Sequence, residues 1–301
     1  MQKILVLGAR ELGLAILRSL ATTSCDKQAS VTVLLRPSTS PSRDKLLQHL
    51  DELKVHVIYH DLSSPVPNLA AIFSQYDLVI SATGFSAGPG TQLRIAQAVI
   101  ASTASWFIPW QFGVDYDTIG RGSSQPLFDE QLDVRDILRQ QTRLKWTIFS
   151  TGIFTSFLFH ETFGVVDLEE GSFTALGAWD NEITVTSAED IGRVVAEVVL
   201  GEEKPEGVIY VAGDTATFQD VLRMVEESGW NPKGKITSTA DLENTLERDS
   251  ANIGAKYQLV WARNKGVAWK KDQSWNEQHG MKLETLQDWV ASNLPRPNQT
   301  L

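Results

Sequence analysis

Short apolar runs alternate with amphipathic stretches through the first half of the chain. Runs of apolar and β-branched residues predict strands over residues 3–8, 30–36, 55–60, 77–82, 105–109 and 145–150. Apolar residues spaced three or four positions apart predict helices between them, over residues 12–22, 42–53, 67–75, 90–103 and 128–142. Such alternation is typical of a parallel sheet covered by helices on both faces. The sequence therefore predicts an α/β fold with a doubly wound parallel sheet.

This pattern loosens after residue 150. An apolar helix is predicted over residues 154–163, short strands and turns over 164–185, and a strand over 208–211. Further helices are predicted over residues 188–200, 218–228, 240–248 and 283–294. We expect residues 1–150 to form the sheet domain and residues 151–301 a smaller α+β lobe over its carboxyl edge. The lobe is not expected to be strictly separate, since strands can return from it to the sheet.

Composition narrows the possible partners and compartments. A net charge of −10 over 301 residues argues against nucleic acid or an anionic membrane as the main partner. The single Cys25 excludes an internal disulfide. No 18-residue apolar stretch and no leader-like segment is visible, so we expect a cytoplasmic protein. Nine Trp and twelve Phe provide aromatic surface, some of which can line a pocket for a flat organic molecule.

A glycine turn ends the first predicted strand. The apolar run stops at Gly8, Gly13 follows five residues later, and a helical pattern then begins. This is the start of a Rossmann-type dinucleotide-binding unit, although Arg10 replaces the second glycine of G-x-G-x-x-G. The alternative is an ordinary strand-to-helix turn of an α/β protein. The predicted cofactor-binding residues here are Gly8, Ala9, Arg10, Leu12 and Gly13.

The second predicted strand ends in a cation. Arg36 stands where NAD-preferring proteins carry an acidic residue for the ribose 2′-hydroxyl. Arg43 and Lys45 follow on the next helix, and a cation cluster attracts a 2′-phosphate. These residues favour NADP(H) over NAD(H), and the alternative is a solvated basic helix start.

Several segments together resemble one family, the NmrA-like, isoflavone-reductase-like branch of the atypical short-chain dehydrogenases. They are the Gly8–Gly13 turn, Arg36, residues 77–84 (DLVISATG), residues 107–113 (FIPWQFG), Val134–Arg135 and residues 189–193 (EDIGR). The resemblance covers most of residues 1–215. It implies NADPH dependence, with Lys45 as a second phosphate-binding cation. It also implies either reduction of phenylpropanoid ethers, lignans and isoflavones, as in plant members, or NADP binding without turnover, as in regulatory members.

Further site candidates follow the later strands. Small residues after the fourth strand let a cofactor cross the strand ends, and large rings after the fifth can stack on a planar substrate or form a core edge. The predicted cofactor contacts are Ala82, Thr83, Gly84, Gln111 and Gly152. The predicted substrate contacts are Trp110, Phe112, Phe154 and Phe157.

Catalysis is where the chain departs from the family pattern. Family reductases carry a catalytic lysine four residues before the position of Arg135, and this chain has Gln131 there. A neutral amide can orient a substrate but cannot exchange a proton near neutral pH. We therefore expect Gln131 to hold a substrate atom, with Tyr116, His160 or water moving protons. The alternatives to these catalytic roles are that His160 is simply a packed side chain and that the acidic loop around Tyr116 is simply solvated.

Three functions remain open at this point. The first is an NADP(H)-dependent oxidoreductase acting on a bulky aromatic or heterocyclic small molecule in secondary metabolism. A variant is a redox-neutral isomerase or cyclase that removes a hydride and returns it. The third is a non-catalytic NADP-binding sensor, which the missing lysine favours and the aromatic segments disfavour. We expect a monomer or homodimer without a metal.

Overall fold

The structure is a computed structural model that describes residues 1–24, 29–37, 41–84 and 88–296. Cys25 lies outside the described residues. Clustering of contacts divides the chain into two compact units. The first comprises residues 1–111, 130–149 and 188–209, and the second comprises residues 112–129, 150–187 and 210–301. The units interleave along the chain, and a domain boundary at residue 150 stays a prediction.

One sheet of seven described strands organises the first unit. The strands are β1 (Gln2–Leu7), β2 (Ala29–Leu35), β3 (His56–Tyr59), β4 (Leu78–Ser81), β5 (Trp106–Ile108), β6 (Lys145–Ser150) and β11 (Gly207–Tyr210). Their order in the sheet is β11-β6-β5-β4-β1-β2-β3, and the pairings that join β3 to β6 are all parallel. The order of β1 to β6 is that of a doubly wound dinucleotide-binding sheet, so the predicted Rossmann-type fold is confirmed.

Helices connect these strands and bury the core against the sheet. They are α1 (Glu11–Ser24), α2 (Pro41–Glu52), α3 (Val66–Phe73), α4 (Thr91–Ala101), α6 (Leu127–Arg139) and α8 (Ala188–Leu200). Leu5, Val79 and Phe107 on the strands pack in one core with Phe73 and Val99 from the helices.

A glycine explains why α1 and α8 lie close together. A Cβ atom at Gly192 would lie 2.6 Å from the carbonyl carbon of Ala15, which is far inside van der Waals contact. Any larger residue would therefore push the two helices apart. The EDIGR segment thus has a packing role, because its glycine sets the distance between two helices of the first unit.

The second unit is of the α+β type. Its described strands are β7 (Ile153–Phe154), β8 (Val166–Asp167), β9 (Ser172–Leu176), β10 (Glu182–Thr186), β12 (Asp214–Thr217) and β13 (Lys233–Thr237). They form two sheets of three strands, with the orders β12-β10-β7 and β13-β9-β8. Its helices are α5 (Tyr116–Ile119), α7 (Thr155–Leu158), α9 (Phe218–Glu227), α10 (Thr239–Arg248), α11 (Ile253–Ala262), α12 (Trp275–Gln278) and α13 (Leu286–Asn293).

Two helices of the second unit differ from the prediction. The helix predicted over residues 154–163 is one turn, Thr155–Leu158, because Ile153–Phe154 pairs as a strand with β10. Helix α11 was not predicted from the sequence. Its buried residues run Leu259, Val260, Trp261 and Ala262 in succession, which hides the helical period in the pattern of apolar positions.

Candidate functional site

A cavity of about 300 Å³ opens at the carboxyl ends of the first unit's strands. We call it the edge cavity; its walls include Gly8, Ala9, Arg36, Arg43, His60 and Thr83. They come from the ends of β1, β2, β3 and β4 and from α2. The strand order reverses between β1 and β4, and open α/β sheets bind ligands at such a reversal.

The turn after β1 needs its two glycines. Gly8 has φ +90°, and a Cβ atom there would lie 3.3 Å from the Ala82 carbonyl oxygen. A Cβ atom at Gly13 would lie 2.5 Å from the Gly8 carbonyl oxygen. The chain can therefore pass tightly from β1 into α1, which directs the amino end of that helix toward the edge cavity. Arg10 is exposed on the cavity wall, whereas the Leu12 side chain is buried in the core.

Two arginines supply positive charge beside β2. Arg36 is exposed on the wall of the edge cavity, and Arg43 lines the same wall from α2. An Nη2–H of Arg43 donates to the Arg36 carbonyl oxygen, and the guanidinium lies 5.6 Å from the centre of the Tyr59 ring. The predicted cation Lys45 is exposed on α2 and does not line the cavity. Its contact with a cofactor stays a prediction.

His60 is a cavity residue that the sequence analysis missed. It follows β3, and its backbone N–H donates to the Leu35 carbonyl oxygen at 3.1 Å. Asp61 comes next, and the hydrogen bond from the Ser63 backbone N–H, at 2.9 Å, is the main reason that the pKa of its carboxyl is lowered. Arg36 and His60 add smaller electrostatic contributions to that lowered pKa. The parallel register of β2 and β3, with Leu35 opposite Tyr59, is the signal that places His60 beside Arg36.

The end of β4 is held by a buried amide. Gln92 on α4 is 5% exposed, and its Nε2 donates to the Thr83 hydroxyl at 3.2 Å and to the Gly84 carbonyl oxygen at 2.8 Å. The ring of Trp110 lies against Gly84, 3.6 Å from where a Cβ atom would stand. Ala82 and Thr83 line the edge cavity. Small residues here leave the strand end open, and their predicted contact with a cofactor stays a prediction.

A second polar group lies where β5 ends and α6 passes. We call it the amide cluster: Gln111, Gln131 and Arg135, all 0% exposed. Gln111 Nε2 donates to the Gln131 carbonyl oxygen at 2.8 Å, and Arg135 Nε donates to Gln111 Oε1 at 2.7 Å. The Gln111 side chain therefore fixes α6 against the sheet. A direct contact of Gln111 with a cofactor stays a prediction.

Glu130 anchors the same helix at a second point. Its carboxylate accepts hydrogen bonds from the backbone N–H groups of Gly90 (2.9 Å), Gln92 (2.8 Å) and Leu93 (3.2 Å). It thereby caps the amino end of α4, where Gly90 offers no side chain. Glu130 and Gln111 together hold the backbone on both sides of Gln131.

The Gln131 side chain is different from its neighbours. Its Oε1 and Nε2 are both buried, and neither has a hydrogen-bond partner among the described residues. Leaving a buried polar group unpaired costs about 1–3 kcal/mol. Such a group is an expected ligand contact in a fold that otherwise pairs its buried amides. Gln131 can thus offer one donor and one acceptor to a bound molecule but cannot exchange a proton.

Other predicted site residues belong to the second unit. Tyr116 is 4% exposed and packs edge-on against Phe128 with ring centres 5.0 Å apart. The preceding Asp115 caps α5, since its carboxylate accepts hydrogen bonds from Thr118 N (3.2 Å) and from the hydroxyl of Tyr210 (2.8 Å). The acidic loop is therefore built as a helix cap. A proton-transfer role for Tyr116 stays a prediction.

His160 lies at the surface of this unit. Its Nδ1 accepts a hydrogen bond from the Thr162 backbone N–H at 3.1 Å, and its ring stacks on Phe157 with centres 5.9 Å apart. Phe154 is half-buried, and Phe112 is 5% exposed. The catalytic and substrate-binding roles of these residues stay predictions.

Gly152 has a backbone role in the same unit. Its φ is +73°, and a Cβ atom there would lie 2.0 Å from the Thr184 carbonyl oxygen. Its N–H donates to the Gly113 carbonyl oxygen at 3.0 Å. The glycine is thus required by packing, and its predicted contact with a cofactor stays a prediction.

Two features are absent from the part of the chain that the structure describes. None of its helices is long and apolar enough to cross a membrane. Those same residues also contain no group of three or more His, Cys, Asp or Glu side chains arranged to hold a metal ion.

Comparison with known proteins gives a consistent picture. The sequence model of the NmrA-like family matches residues 1–243. An NmrA-like family domain-containing oxidoreductase of Gibberella moniliformis is 41% identical over 299 residues, which is 95% of this chain and 96% of that protein. The isoflavone reductase homolog P3 of Arabidopsis thaliana is 25% identical over 235 residues, which is 75% of this chain and 74% of that protein.

Solved structures share the fold. The structure of AtPrR2 with NADP⁺ and (+)pinoresinol has a TM-score of 0.78 at 16% identity, covering 97% of this chain and 99% of that chain. At this identity the likeness concerns the fold alone. It agrees with the α/β fold and the parallel sheet of the first unit.

Proposed function

Because the chain belongs to the NmrA-like family, as its motifs predicted, we propose that it is an NADP(H)-dependent oxidoreductase. Its proposed substrate is a bulky aromatic or heterocyclic small molecule of secondary metabolism. The observation that carries the proposal is the edge cavity, where a glycine turn, a helix amino end and two arginines meet at the reversal of strand order. The oxidoreductase relative at 41% identity supports the same function.

The residues of the edge cavity fit NADP(H). The tight turn from Gly8 to Gly13 and the amino end of α1 suit a pyrophosphate, because backbone N–H groups and the helix dipole favour negative charge there. Arg36 and Arg43 suit the 2′-phosphate, since a guanidinium binds phosphate oxygens in a fork geometry. When bound, the cofactor supplies or accepts a hydride.

Gln131 is the proposed orienting residue for the substrate. Its buried Oε1 and Nε2 would pair with a substrate donor and acceptor, which removes the penalty of leaving them unpaired. The bonds that Gln111 and Glu130 make hold this part of α6 in place without any ligand. Proton transfer is then left to Tyr116, His160, water or the substrate itself.

Aromatic side chains are the proposed substrate contacts. Trp110 lies against the Gly84 turn at the end of β4, and Phe112, Phe154 and Phe157 belong to the second unit. AtPrR2 has been solved with pinoresinol, an aromatic ligand, which supports the same substrate class for this chain.

Cofactor titration tests the proposal directly. NADPH and NADH would be titrated by calorimetry into the wild-type protein and into Arg36→Ala. We expect a preference for NADPH that Arg36→Ala reduces by roughly 1.5–3 kcal/mol, the range for a hydrogen bond to a charged group. Equal wild-type affinities for the two cofactors would contradict NADP(H) dependence. Absence of binding by either would contradict the oxidoreductase proposal altogether.

The neutral Gln131 also keeps a redox-neutral isomerase or cyclase as the second candidate. Counting the NADPH consumed per product separates the two, because an isomerase that returns its hydride consumes none. In an isomerase, we expect Gln131→Lys to divert the reaction toward net reduction. In a reductase, we expect this variant to keep its activity. A protein that binds NADP(H) tightly but turns over no aromatic substrate would instead be a sensor.

A further inference from the structure

We infer that His60 is a third contact for the 2′-phosphate of NADP(H), beside Arg36 and Arg43. The inference rests on the proposed NADP(H) dependence and deepens it, because it assigns phosphate selectivity also to a residue that follows β3. His60 would act as a specificity-determining residue through its imidazole Nε2.

Strand pairing places His60 beside Arg36. Strands β2 and β3 are parallel, with Leu35 opposite Tyr59 at their carboxyl ends. The next residues in this register are Arg36 and His60, and the His60 N–H extends the ladder by donating to the Leu35 carbonyl oxygen at 3.1 Å. Both residues line the edge cavity together with Arg43.

Two buried polar atoms at this wall lack partners. Nε2 of His60 and Nε of Arg43 are shielded from water, and neither has a hydrogen-bond partner among the residues that the structure describes. A shielded donor without an acceptor is costly, and phosphate oxygens are strong acceptors. An imidazole in either charge state can present one N–H through Nε2, so His60 can donate to a phosphate without being protonated.

The charged groups around His60 allow an anion at this position. Arg36 and Arg43 lie on the same cavity wall, and Arg10 lies on the wall at the glycine turn. The adjacent Asp61 carries an opposing charge, and its carboxylate already accepts a hydrogen bond from the Ser63 backbone N–H at 2.9 Å. Two arginines together with an imidazole donor outweigh one exposed carboxylate. The site is therefore suited to a group with two negative charges, such as the 2′-phosphate.

Fragments of the cofactor isolate this contact. 2′,5′-ADP carries the 2′-phosphate and 5′-AMP does not, so their affinities report on this phosphate alone. Both would be titrated by calorimetry into wild type, His60→Ala, His60→Met and a control, His56→Ala. His56 is exposed at the opposite end of β3, so its loss leaves the cavity intact. His60→Met keeps a similar volume without a donor and serves if the alanine variant does not fold.

We expect loss of the imidazole to weaken 2′,5′-ADP binding by roughly tenfold, as for one hydrogen bond to a charged group, and to leave 5′-AMP binding unchanged. His56→Ala should change neither. Equal weakening of both ligands, or no weakening of either, would overturn the role of His60. A wild type that fails to prefer 2′,5′-ADP over 5′-AMP would instead refute the proposed NADP(H) dependence, which keeps the two failures distinct.

Discussion

The edge cavity and the amide cluster occupy the same edge of one sheet but hold their polar groups in opposite ways. At the ends of β1, β2 and β3 the cations Arg10 and Arg36 are exposed to water around an open cavity. At the end of β5 the side chains of Gln111, Gln131 and Arg135 are fully buried, and Gln111 bonds both to the Gln131 backbone and to Arg135 Nε. Among the described residues, the Gln131 amide itself has no hydrogen-bond partner. In the proposed function, the first region binds a charged group of the cofactor and the second orients a neutral group of the substrate.

This difference has a physical reason. Exposed arginines cost the ligand-free protein little free energy, because water solvates their charge when no anion is bound. A buried amide has no such solvent, so the protein must hold it in place before a ligand binds. Gln111 and Glu130 do so by fixing the backbone that carries the Gln131 amide. We therefore expect substitutions in the amide cluster to alter stability and those in the edge cavity to alter cofactor affinity.

The largest expected effect is on stability, from Gln111→Ala. This change removes the acceptor of Arg135 Nε, and it removes the side-chain donor to the Gln131 carbonyl oxygen, which keeps its backbone bond within α6. Loss of a buried hydrogen-bond partner costs about 1–3 kcal/mol, and a charged guanidinium lies at the upper end of this range. Chemical denaturation should show the loss, whereas Gln75→Ala, at an exposed glutamine, should leave the free energy of unfolding unchanged. Equal stability of both variants would contradict the role of Gln111 in fixing α6 against the sheet.

The next effect distinguishes two cations of α2. Arg43 lines the edge cavity and Lys45 does not, so Arg43→Ala should weaken NADPH binding by about 1.5–3 kcal/mol and NADH binding very little. Lys45→Ala tests the contact that the family resemblance implies, and the structure favours a smaller loss. Fluorescence titration of both variants would decide. A larger loss in Lys45→Ala than in Arg43→Ala would show that the phosphate-binding cation is Lys45, as the family resemblance implies.

The sequence predicted the edge cavity better than the amide cluster, and the reason is locality. Gly8, Gly13 and Arg36 are recognisable because a tight turn and a strand end impose residue types within a few positions. Arg43 and Leu46 both line the cavity because residues three apart lie on the same face of a helix. The family resemblance selected Lys45 by its distance from Arg36 along the chain, and that distance does not show which face of α2 meets the cavity.

The amide cluster depends instead on contacts between distant segments. Gln111 meets Gln131 across 20 residues of chain and Arg135 across 24, and no periodicity in the sequence encodes these pairs. His60 was missed for a similar reason, since its place beside Arg36 depends on the register between β2 and β3. The position of Gln131 was predicted only because the family resemblance supplied a lysine for comparison.

A smaller effect of opposite sign is expected from Gln131→Met. Methionine has a similar volume and no unpaired amide, so the ligand-free protein should gain up to about 1–3 kcal/mol in unfolding free energy. Substrate turnover should fall at the same time, because the orienting donor and acceptor are gone. Calorimetric melting beside an exposed control, Gln140→Met, measures the gain. A lower melting temperature would show that a water or another group already pairs the amide.

The smallest expected effect comes from Arg10→Gly. This change tests whether every arginine at the edge cavity contacts the same phosphate of the cofactor. Arg10 lines the cavity at the glycine turn, beside the start of α1, and the substitution restores the full G-x-G-x-x-G pattern. We predict a contact with the pyrophosphate, which NADPH and NADH share. Both affinities should therefore fall together by about 0.5–1.5 kcal/mol, unlike the selective loss expected for Arg43→Ala. Arg10→Ala, measured alongside by the same titration, removes the guanidinium without adding the backbone freedom of glycine. Unchanged or improved binding in both variants would show that Arg10 narrows the approach to the turn and makes no contact with the cofactor.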